Sequence, residues 1–146
     1  MTLRIVLAVL HLLALGIGLG AVYARGRALR HGAADAELRP ALAADTWWGA
    51  SGLLFVVTGL WRLLGDTEKA TSYYMQNPVF HAKLGLVALI FALEVWPMVT
   101  LLRWRRGGMA DGRAAGRIAT ISMLQAGLLI AIVALASAMA RGAGAV

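Results

Sequence analysis

Cysteine is absent from the 146 residues. That excludes disulfides, thiolate ligands to haem iron and nucleophilic thiols, and it leaves the redox compartment unread. Charge is scarce: 14% of the chain is charged, and acidic side chains number only 7. No carboxylate pair has hydrolytic spacing, and no GxSxG, HExxH, Walker or dinucleotide pattern occurs, so those chemistries have no support.

What remains is hydrophobic. Apolar residues make up 60% of the chain and the mean hydropathy is +0.74, outside what a water-soluble domain of this length needs. Lipid tolerates that surface and demands only that each helix satisfy its own backbone. The formal charge of +7 would suggest nucleic acid in a soluble protein. Here the arginines lie between apolar runs, where they set orientation and meet anionic headgroups, so lipid rather than nucleic acid is the expected partner.

Four runs are long enough to cross roughly 30 Å of hydrocarbon: Leu3 to Ala24, Thr46 to Leu64, Val79 to Leu102 and Ile118 to Ala140. The N-terminal side of the first run carries only Arg4 and three more runs follow, which favours a span over a cleavable signal peptide. The expected fold is all-α, a single-domain four-helix transmembrane bundle in up-down-up-down order. Asn77-Pro78 reads as N-cap and first position of the third span, and Asp45 as a cap for the second. Trp47, Trp48, Trp61, Tyr73, Tyr74 and Trp104 fall near span ends and read as interfacial belts.

Arg25, Arg27, Arg30 and Arg39 follow the first span and Arg103, Arg105, Arg106, Arg113 and Arg117 follow the third, against Lys69 alone between the second and third. This asymmetry places the first and third connections in the cytoplasm and both termini outside. Gly16 and Gly20 form a GxxxG pair that reads as a helix-packing face, which a second copy or another membrane protein would also fit.

Ionisable groups inside a span cost on the order of 2.5 to 3.5 kcal/mol at its centre and ask for a reason. His11, Lys83, Glu94 and Arg62 stand out, with His81 and Gln125 as weaker members. Lys83 and Glu94 share one helix face, offset by about 20° with a rise of roughly 16 Å, so they cannot touch. That face must point inward. His11 shares its face with Gly18 and Arg25, and a glycine below a histidine leaves room for a flat ligand. His11 is thus a candidate axial ligand to haem iron, against a core histidine bonded to a neighbouring helix. His81 lies shallower by about 9 Å and fits poorly as a second ligand. Lys83 and Arg62 are candidate anion partners for a propionate or phosphate, and Glu94 must be protonated or paired, which makes it a proton-relay candidate. Arg62, Glu68 and Lys69 read as a surface charge cluster. Catalysis, if any, would rest on Lys83 and Glu94, and the choice between an enzyme and a non-enzymatic subunit stays open.

The stretches Ala44-Asp45-Thr46-Trp47-Trp48-Gly49, Thr58-Gly59-Leu60-Trp61-Arg62, Asn77-Pro78-Val79-Phe80 and Glu94-Val95-Trp96-Pro97-Met98 resemble a bacterial domain-of-unknown-function family of small four-span membrane proteins. That resemblance implies a fold and no activity. A looser one, to the four-helix membrane protoporphyrinogen oxidases and the copper-resistance D proteins, rests on His11 followed by Arg27 and on His81-Ala82-Lys83-Leu84. It implies haem b at His11, with Arg27 and Lys83 in cofactor binding or activity, and on the copper side a small metal transporter. The Glu94-Val95-Trp96-Pro97 stretch departs from the oxidase pattern.

Overall fold

A computed structural model describes residues 2–65 and 71–142. Four long helices, α1 (Thr2–Leu29), α2 (Asp35–Leu64), α4 (Pro78–Arg105) and α5 (Gly112–Ala140), are joined by short turns and by a six-residue helix, α3 (Thr71–Gln76). No strand occurs among the described residues. All four long helices have the length and hydropathy of membrane spans.

Local chemistry sets several ends. The Asn77 side chain accepts from the backbone N–H groups of Val79 and Phe80, and Pro78 occupies the first turn of α4, as its fixed φ and missing N–H favour. Asp111 caps α5 in the same way through the N–H groups of Arg113 and Ala114. α2 departs from expectation. It begins at Asp35, with Asp35 and Glu37 in its first turn where the helix dipole favours acids, so Asp45 lies inside the helix and caps nothing.

The helices follow the up-down-up-down order, with α2 packed on α1, α1 on α5 and α5 on α4. No comparable packing joins α2 to α4, which leaves a cleft on that side. In α1 the buried positions include Leu7, His11, Ala14, Gly18, Val22, Arg25 and Leu29, the three-and-four spacing of a helix seam. Ile5, Leu12, Leu13 and Ile17 face outward instead, as suits a lipid surround. Apolar layers lie on both sides of the middle of the bundle. One holds Val22, Trp48, Ile90, Leu129 and Ile132, and the other, toward the arginine-rich end, holds Leu29, Leu101, Trp104 and Ile118.

Two expectations about aromatic and small residues change. Trp48 and Trp104 are core residues rather than belt residues, whereas Trp47 and Trp61 are exposed as a belt requires. Gly16 and Gly20 have open space where a side chain would project, so among the described residues the GxxxG pair joins no helices. The close approach belongs to Gly26, where a Cβ would come within 2.8 Å of Met123 and 3.2 Å of the Ala119 carbonyl on α5.

Candidate functional site

Between the two apolar layers lies a polar cluster drawn from all four long helices. Its centre is Arg25, whose side chain is completely buried. A guanidinium carries five N–H donors, and each has an acceptor here. Nε donates to Ser122 Oγ at 2.9 Å, one terminal nitrogen to Asp45 Oδ1 at 2.8 Å and Glu94 Oε1 at 2.7 Å, and the other to Glu94 Oε2 at 2.8 Å and Gln125 Oε1 at 2.9 Å. Trp48 covers the group, its ring centroid 5.9 Å from the guanidinium carbon.

The acceptors are themselves held. Gln125 donates from Nε2 to Glu94 Oε2 at 2.9 Å and to the Ile90 carbonyl at 3.1 Å, which fixes its amide orientation. Asp45 accepts a second time, from Arg105 at 3.1 Å, and Arg105 also donates to Thr46 Oγ1 and the Leu42 carbonyl. Two arginines thus face two carboxylates, and the group is neutral as a whole. That balance is what makes it tolerable in lipid, because an isolated buried charge would cost several kcal/mol.

Helix geometry explains how the sequence builds this. Arg25 continues the α1 seam that contains His11 and Gly18, so it turns inward although it stands at the end of the apolar run. Gly26 brings α1 close enough to α5 for Nε to meet Ser122. Arg25 is therefore an interior residue, and its place in the arginine-rich loop set is corrected. Gln125, a weaker member in sequence, is fully buried at the centre. The missed signal was pairing across spans: Arg25 ends the inward seam of α1, and Asp45 and Glu94 are acids one or two turns deeper on α2 and α4, within reach of its long side chain.

A cavity of about 270 Å³ lies beside the cluster. Ala14 and Gly18 of α1, Gly52 and Phe55 of α2, Val87 of α4 and Leu129 of α5 line it, and Asp45 and Glu94 stand at its polar end. It lies along the loosely packed α2–α4 side. Part of the room expected below His11 is taken, since Ser51 and Trp48 stand against the space a side chain on Gly18 would enter.

His11 is buried against α2. Its Nδ1 lies 2.9 Å from Thr58 Oγ1 and its ring stacks on Phe55 with centroids 4.2 Å apart. The Thr58 hydroxyl donates to the Leu54 carbonyl at 2.7 Å, which assigns the histidine proton to Nδ1 and makes Nε2 the acceptor nitrogen. Lys83 is half-buried on α4 and Arg62 half-buried in the last turn of α2. Arg27 is exposed near the other end of α1, roughly 24 Å along the helix from His11, so one macrocycle at His11 does not reach it. His81 is exposed at the start of α4, with Nε2 2.8 Å from the Met75 carbonyl. Glu94 is paired rather than alone. Glu68 and Lys69 lie outside the described residues. Among the described residues no group of three or more His, Cys, Asp or Glu is placed to hold a metal ion.

Four lipid-length helices with outward apolar faces and an inward ion-pair cluster define a multi-pass membrane protein. More narrowly, residues 3–144 match the family model described as Predicted membrane protein (DUF2214), and the chain belongs to that family. The looser likeness to protoporphyrinogen oxidases and copper-resistance proteins has no match behind it. No curated protein and no solved structure matches the chain.

Proposed function

We propose that this protein binds a lipid-soluble ligand with a flat ring in the cleft between α2 and α4, the ring lying in the cavity and any tail extending into the bilayer. The cavity itself carries this reading: its walls are mostly apolar, the Ser51 hydroxyl among them being bonded to the Trp48 carbonyl, and its charged lining is Asp45 and Glu94. Ligand sites combine apolar walls with a few convergent polar groups in this way. The Arg25 cluster holds the carboxylates in place, so the polar end is preformed. About 270 Å³ suits one ring system rather than a whole porphyrin.

The test is extraction of the purified protein with organic solvent, followed by mass spectrometry against a Gly52→Phe variant. Gly52 lines the cavity and has open space where a side chain would project. A non-bilayer molecule retained by the native protein and lost in the variant supports the reading. Equal extracts from the two proteins contradict it.

A second reading, haem b or a porphyrin on His11 with a redox role, is favoured by the assigned tautomer. A histidine that donates from Nδ1 to a fixed acceptor presents Nε2 in the form that ligates iron. Lys83 and Arg62 would serve its propionates. A Soret band removed by His11→Ala supports this reading, and colourless protein from haem-replete cells refutes it. The arginine distribution supports an inner-membrane placement with both termini outside the cytoplasm.

A further inference from the structure

A second groove lies on the outer surface between α4 and α5, away from the cleft. Ala92, Leu93 and Trp96 form its α4 wall, and Arg113, Gly116, Arg117, Thr120 and Ile121 its α5 wall. It is open and broad, about 730 Å³. Ala92 and Gly116 create the depression by lacking bulk, and Gly116 has nothing near the space its side chain would occupy.

Charge in this groove has one sign. Arg113 and Arg117 stand one helical turn apart, roughly 6 Å along α5, and both are exposed. Among the described residues neither forms an ion pair, in contrast to Arg25 and Arg105. Among the described residues no carboxylate lines the groove. We propose that it is a binding site for an anionic phospholipid, with the phosphate between Arg113 and Arg117 and an acyl chain along Leu93, Trp96 and Ile121. Guanidinium forks match phosphate oxygens. The apolar remainder of the groove runs inward from the arginines toward mid-bilayer, so the headgroup and chain of one lipid meet the two kinds of lining in the right order. Trp96, itself exposed, adds an aromatic surface beside the glycerol region.

Native mass spectrometry of the full chain in detergent tests this, with phosphatidylglycerol and phosphatidylcholine as probes. The native protein retains phosphatidylglycerol over phosphatidylcholine. R113Q/R117Q weakens that retention about ten-fold or more, the scale expected for losing charged hydrogen bonds. Gly116→Leu, which fills the groove without changing charge, weakens it as well. R30Q/R39Q removes two exposed arginines outside the groove and leaves retention unchanged. Equal losses in the two arginine pairs would reduce the effect to net charge and overturn the proposal. So would full retention by Gly116→Leu, or displacement of the lipid by millimolar inorganic phosphate. Monodisperse elution of every variant on size exclusion separates these outcomes from misfolding.

Discussion

Arg25 and Glu94 meet in the middle of the bundle as a two-point pair, 2.7 and 2.8 Å between nitrogen and oxygen, although 69 positions separate them in the chain. The pair links α1 to α4, helices that sit diagonally and share no direct backbone packing of the kind that joins α1 to α2 and α5. Fixing that diagonal fixes the bundle's cross-section and holds the cleft on the α2–α4 side beside a rigid polar end.

Arg105 should matter much less than Arg25. It is about a third exposed and bonds the outer edge of Asp45, while Arg25 keeps the inner oxygen. Arg105→Gln is expected to cost about 1 kcal/mol or less, as partly exposed ion pairs do. Thermal unfolding in detergent measures this, and a loss near that of an Arg25 variant would mean that the two arginines act as one unit.

Glycine positions give a contrast within one helix. Gly26→Leu forces α1 away from α5 and breaks the approach of Arg25 to Ser122, an overpacking cost of about 1 to 3 kcal/mol. Gly16→Leu and Gly20→Leu point into open space and are expected to stay within about 0.5 kcal/mol of the native protein. If Gly20→Leu proves as damaging as Gly26→Leu, another chain packs on that face.

His11→Ala removes the Thr58 hydrogen bond and the Phe55 stack and leaves a cavity. Its expected cost is about 2 kcal/mol in the absence of any cofactor. His11→Asn, which keeps a polar partner for Thr58, should recover part of that stability but no Soret band. Unfolding scans together with an absorption spectrum separate the structural role of the ring from the ligand role.

Much of the architecture was legible from hydropathy alone, because spans of lipid length leave few alternatives. The α4 boundary followed from Asn77-Pro78, whose capping chemistry is local. The α2 boundary did not, since Asp45 and its neighbours have the same capping signature whether they start a helix or face a buried cation. Arg25 was misplaced for a related reason. An arginine at the end of an apolar run belongs equally to a loop or to an interior seam, and only the partners on α2, α4 and α5 decide. The face shared by His11, Gly18 and Arg25 was readable from helical periodicity, and all three are buried. That Glu94 would be paired depended on finding its cation.

A double-mutant cycle on Arg25 and Glu94 tests the central claim, that this pair is the interior clamp of the fold. Arg25→Met and Glu94→Leu singly leave a charge without its main partner, and each should cost about 3 to 5 kcal/mol. The double variant should lose less than the sum of the two, with a coupling of at least about 2 kcal/mol by thermal or denaturant unfolding in detergent. Where a single variant fails to fold, Arg25→Lys and Glu94→Gln supply the milder cycle. Additive losses, with coupling below about 0.5 kcal/mol, would contradict the account.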